Sequence, residues 1–150
     1  MARYYCRRAH KTFSLLPDCL ASRLSSRLDE VEQVVATVEE SGGVSAAAAK
    51  LRPRIGQQGA ERWVRRRVQA VKAALVTLWG LLPELLAGKE RTIQGLRAVL
   101  GRTRALAGVR EVGARYLGGL PPPVGLGPRP KPRPERPSAI QQGTGPDPPS

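Results

Sequence analysis

The stretch that decides the fold is Gly43-Val-Ser-Ala-Ala-Ala-Ala-Lys-Leu-Arg52, then, after a break, Gly59-Ala-Glu-Arg-Trp-Val-Arg-Arg-Arg-Val68. Val44 to Arg52 has the composition of a short helix, and its alanines let a neighbouring helix approach the backbone closely. Pro53 through Gly59 read as a turn. A second helix opens near Ala60, with Glu61 in its first turn, where the helix dipole favours an acid. Helical spacing places Arg62, Arg65, Arg66, Gln69 and Lys72 along one side. Trp63, Val64, Val68, Val71 and Leu75 fall along the other. A polar face that can enter a groove, backed by an apolar face that packs on other helices, is the pattern of a helix-turn-helix.

Charge is segregated along this region. Residues 28–49 carry Asp29, Glu30, Glu32, Glu39 and Glu40 and no basic residue, a net of −5. Residues 50–72 carry eight basic residues against Glu61 alone, a net of +7. A surface charged only for solubility would mix its signs, so the basic segment is the one expected to meet phosphates. The candidate nucleic-acid contacts are Lys50, Arg52, Arg54, Arg62, Arg65, Arg66, Arg67, Gln69 and Lys72. Trp63, Val64 and Val68, facing Ala47 and Ala48, are the expected structural core of the unit, with the Trp63 ring set against the alanines.

The whole chain of 150 residues has a net charge of +13 and a pI of about 11.2. That balance points to nucleic acid or an anionic surface as partner. Aromatic residues make up 4% of the chain, too few for base stacking to be the main binding mode. The longest apolar run, Ala73 to Ala87, is broken by Gly80, Pro83 and Glu84, so no membrane-spanning helix is expected. Phe13 to Ala21 contains Pro17 and Asp18 and is too short for a secretory core. Residues 1–27 share the Arg-rich, acid-poor composition of transit peptides, but their tyrosine and cysteine pattern reads better as folded structure. Two cysteines, Cys6 and Cys19, suit a reducing compartment and free thiols.

Arg3 to Ser14 reads as two short extended pieces around a tight turn, the pattern of half a zinc ribbon. Cys6 stands at the first knuckle position, but Ala9 occupies the second. Cys6, His10 and Cys19 are the only Cys or His residues, and a closed zinc site needs four ligands. A degenerate hairpin without zinc or other cofactor, with His10 on its surface, is therefore expected at residues 1–24 together with its connector. A first long helix over 27–41 follows, capped by Ser25 or Ser26, with Leu28, Val31, Val35 and Val38 as its stripe. With the helices at 44–52 and 60–80 it completes a helix-turn-helix unit over 25–82.

The seam Val64, Val68, Val71, Leu75, Leu78 and Leu82 continues past the basic segment and offers a surface for self-association or a partner helix. Two further helices are expected over 84–100 and 103–117, the second with the weaker apolar face, within a C-terminal unit 83–118. Eleven of the fourteen prolines lie between Pro121 and Pro149, so 119–150 is expected to be a disordered Pro/Arg-rich tail.

Arg3-Tyr-Tyr-Cys6, Lys11-Thr-Phe-Ser-Leu-Leu-Pro17, the acidic helix, and Arg62-Trp-Val-Arg-Arg-Arg67 together resemble the N-terminal DNA-binding region of bacterial insertion-sequence transposases. In that family a zinc ribbon precedes a helix-turn-helix that grips the element's ends. The resemblance covers roughly residues 3–80 and departs from the family at Ala9 and in lacking the first half of the ribbon. No catalytic domain is legible: five of the twelve acids lie on one helix, and no Gly-rich phosphate loop is present. The reading is a mainly α protein that is not an enzyme and binds double-stranded DNA. It would be a transposase-related accessory or remnant of a mobile element, working with a transposase or by self-association and residing in the cytoplasm at the nucleoid. Its rivals are a protein-interaction module using the same basic surface and an RNA-binding protein.

Overall fold

The computed structural model describes residues 3–14 and 16–128. It is mainly helical, with one short antiparallel hairpin at the N-terminus. Strands β1 (Arg3–Cys6) and β2 (Lys11–Ser14) pair with Tyr4 opposite Phe13 and Tyr5 opposite Thr12. Residues 7–10 form the turn, and His10 is exposed, as expected, with its Nδ1 3.3 Å from the Tyr5 hydroxyl. Tyr4 and Tyr5 are also exposed.

Helix α1 (Leu28–Ser41) buries Leu28, Val31, Val34 and Val35. Its start corrects the serine cap expected from sequence. The cap is Arg27, whose backbone N–H donates to the Glu30 carboxylate at 3.2 Å while its guanidinium pairs with Asp29 at 3.0 Å. Ser26 is engaged elsewhere, accepting a hydrogen bond from Arg67. Gly42 ends the helix at φ 70, a left-handed conformation that favours glycine.

Helix α2 (Val44–Leu51) and helix α3 (Gln57–Leu81) follow, joined by Arg52 to Gly56. Helix α3 begins three residues before Ala60, since Gln57 can bridge the two helices. Its side-chain amide reaches Ser45 at 2.7 Å and Glu61 at 2.9 Å. Helices α1, α2 and α3 pack on one another. Ala47 and Ala48 are fully buried, as are Val64 and Val71. Val68, Leu75 and Leu78 are buried as well, and Leu82 is half-buried. The apolar seam is thus used within the chain's own core. This corrects its reading as a partner surface.

The two C-terminal helices are shorter than periodicity suggests. The expected helix over 84–100 is split into α4 (Pro83–Leu86) and α5 (Ile93–Leu100), the latter capped by the Thr92 hydroxyl, which accepts from the Gly95 N–H at 2.9 Å. Gly101 closes α5 at φ 62. Helix α6 (Ala105–Val112) is followed by one 3-10 turn, Ala114–Tyr116, in place of a helix to 117. Leu86, Ile93, Leu96 and Leu106 bring this half onto the same core.

Two carboxylates of α1 hold the later helices in place. Glu32, almost wholly buried, accepts the N–H groups of Ala105 and Leu106 at 3.1 and 2.9 Å, at the start of α6. It also pairs with Arg97 of α5 at 2.9 Å. Two helical turns further on, Glu39 accepts from Ile93 N at 2.9 Å and from Gln94 N at 3.4 Å, at the start of α5. Each carboxylate satisfies amides that a helix start leaves without intrahelical partners and meets the positive end of the dipole.

The expected disordered tail starts too early at residue 119. Leu120 through Gly125 are buried, with Leu120 and Val124 in the core. The buried Arg110 explains why. Its Nε donates to the Val124 carbonyl at 2.8 Å and its Nη2 to that of Pro123 at 3.1 Å, while Nη1 donates to Asp18 at 2.7 Å. Leu126 N–H adds a bond to Leu117 O at 2.7 Å. A count of apolar side chains misses a segment anchored by its carbonyls. Residues 129–150, the rest of the expected tail, lie outside the described residues. Among the described residues no helix is long and apolar enough to cross a membrane.

Candidate nucleic-acid interface

The exposed side of α3 carries Gln58, Arg62, Arg65, Arg66, Gln69 and Lys72, as the helical spacing requires. The same side chains, with Glu61 in place of Lys72, line a shallow depression of about 450 Å³. Arg65 is paired with Glu61 at 3.0 Å. The Glu61 carboxyl is held below its usual range by hydrogen bonds from Gln57 and Ser45 and then by the charge of Arg65. Among the described residues, Arg62, Arg66 and Lys72 have no carboxylate within ion-pair distance, so Arg65 is the most neutralised member of the row. Lys50, on α2, and Arg54, in the turn, are exposed as well.

Two expected contact residues are placed otherwise. Arg67 is 6% exposed and points into the protein, donating to Ser26 Oγ at 2.8 Å and to Trp63 O at 3.3 Å. Its guanidinium lies 3.8 Å from the centre of the Trp63 ring. Burial lowers its pKa, with Arg52 and Arg66 adding to the effect and Glu30 opposing it. The signal for this was in the sequence. Position 67 is three residues after Val64 and four before Val71, on the apolar stripe itself. Arg52 is half-buried, its guanidinium 4.2 Å from the same ring. Trp63 consequently sits at the margin of the core, half-buried beneath two guanidinium groups, whereas Ala47 and Ala48 are fully enclosed. Each such cation–π contact stabilises by about 0.5–2 kcal/mol.

The chain matches no family model, no curated protein and no solved structure.

What remains is the chemistry of the surface. Arginine and lysine donors that project from one face of a helix can meet phosphate oxygens, and Arg62, Arg66 and Gln69 can also reach base edges. Among the described residues no three of His, Cys, Asp and Glu are placed to hold a metal ion, with Cys6 half-buried and Cys19 exposed. Sequence reasoning missed Glu32 and Glu39, which hold the starts of α6 and α5, and Arg110, which anchors the segment after Leu120. Their partners lie elsewhere in the chain, and no local spacing marks them.

Proposed function

We propose that the protein binds double-stranded DNA through the α2–turn–α3 unit, with Arg62, Arg66, Gln69 and Lys72 facing the duplex and Lys50 and Arg54 against its backbone. The observation that carries the reading is the exposed, largely unneutralised basic row on the second helix of a helix-turn-helix arrangement. The resemblance of residues 3–80 to transposase DNA-binding regions supports a non-catalytic accessory role in a mobile element, acting on bacterial DNA in the cytoplasm. Net charge supports the same class of partner.

Selection of bound sequences from a random duplex pool tests this directly. Enrichment of a site supports direct readout through the row, and retention of RNA but not duplex DNA overturns the assignment. Affinity should also fall with salt by about 0.9 log unit per phosphate contact per decade. Replacing Arg65 and Arg66 together by glutamine should weaken binding strongly with helical content unchanged. A nearly salt-independent affinity would sink the proposal.

A further inference from the structure

Beside the basic row the surface opens into a cleft of about 670 Å³, within the size range of small-molecule sites. Three parts of the chain meet there: the connector before α1, the middle of α3, and the proline segment. Its polar wall is Arg23, Ser25, Arg66, Arg67 and Gln69. Leu24, Trp63, Ala70, Ala73 and Pro122 form an apolar wall. Among the described residues no carboxylate lines it.

Arg67 is the informative group. It is 94% buried, has no carboxylate within ion-pair distance among the described residues, and leaves its Nε without a partner. A buried cation without its counter-charge is an unfavourable arrangement, and the neighbouring charges of Arg52 and Arg66 make it more so. At the rim, Arg23 adopts φ 55, a left-handed conformation disfavoured for a residue with a side chain. Arg23, Arg66 and Arg67 thus line one cleft that no carboxylate among the described residues lines, a setting that favours an anion.

We propose that this cleft binds a phosphate ester of nucleotide size. Arg23 and Arg66 take the phosphate, with the buried charge of Arg67 behind them, and the organic part rests on Leu24, Ala70, Ala73 and the edge of Trp63. Guanidinium forks match the several oxygens and the double charge of a phosphate better than the single charge of a carboxylate. A bare ion would leave most of the cleft and its apolar wall unfilled. The Trp63 ring already carries two guanidinium groups, so the ligand meets its edge. The same chemistry is offered by a free mononucleotide and by the phosphorylated end of a nucleic-acid strand.

The test uses the full chain, titrated with adenosine 5′-monophosphate at constant ionic strength and followed by indole fluorescence and thermal melting. Saturable binding with a rise in Tm is expected, inorganic phosphate should compete, and adenosine should not bind. Arg23→Gln, at an exposed position outside the α3 row, should weaken nucleotide binding at least tenfold without changing the Tm of the unliganded protein. Arg62→Gln with Lys72→Gln should leave nucleotide binding unchanged while weakening duplex binding, so the two proposals fail separately. A single strand with a 5′-phosphate that binds more tightly than both its 5′-hydroxyl form and the free nucleotide assigns the site to strand ends; otherwise the free nucleotide is the ligand. Equal binding of adenosine, a linear response without saturation, or an unaffected Arg23→Gln variant would overturn the proposal.

Discussion

Helices α1 and α3 are neighbours of opposite charge, and they use that charge in opposite directions. Along the sequence α1 stands out by a net negative charge beside its apolar stripe. In the fold its Glu32 and Glu39 are turned toward the starts of α6 and α5, where they serve as caps supplied from another helix. Most of the basic residues of α3 stay at the surface, with Arg67 the exception. Segregation of charge along a chain therefore does not by itself mark a binding face. For α1 it has a structural cause, and the weight of the DNA proposal rests on where the α3 side chains end up.

The comparison can be broken most directly at Glu32. Removing a buried carboxylate leaves Arg97 without its partner and two helix-start amides unsatisfied. Glu32→Ala should cost about 3–5 kcal/mol in urea unfolding, the range for breaking one side of a buried pair. A loss below about 1 kcal/mol would return α1 to the status of an ordinary acidic surface. Glu39→Ala tests the same idea at a less enclosed site, where the Thr92 hydroxyl still caps α5. Its effect should be near 1 kcal/mol, typical of a lost cap.

Between these lies Trp63. A fully enclosed tryptophan would lose about 3–5 kcal/mol on truncation to alanine. Trp63 is half-buried, so Trp63→Ala should cost about 2 kcal/mol by thermal melting, part of it from uncovering Arg67. Trp63→Phe should restore most of that. A full core-sized loss would mean that the ring lies deeper against α2 than its exposure indicates.

These sites also mark what could be read in the sequence. Helices α1 and α2 were legible to within a residue at each end, because Gly42 and Gly43 punctuate a clear apolar stripe and a run of alanines. Position 67 was legible too, had its charge not outweighed its place on the stripe. The second half was not. Gly88, at φ 69, and the Thr92 cap divide what periodicity joins into one helix. The groups that position α5 and α6 sit 54 to 74 residues away in sequence. Pro121 to Gly125 have the composition of a linker, yet Arg110 and Ser22 bind their carbonyls. Bonds from distant donors to backbone oxygens leave no pattern in residue type.

The smallest expected change in stability falls on the outward face. Arg62 and Lys72 are exposed and have no carboxylate partner among the described residues. Replacing both by glutamine removes charge and leaves the aliphatic stems largely intact, so unfolding free energy should stay within about 0.5 kcal/mol of the parent. Duplex affinity should fall all the same, and the salt slope should flatten by about 1 for each residue that touches a phosphate. Binding with an unchanged slope would place the phosphate contacts elsewhere, on Lys50, Arg54 or the basic second half of the chain. A large stability loss would mean that this row, like Glu32 and Glu39, serves the fold, and the contrast between α1 and α3 would disappear.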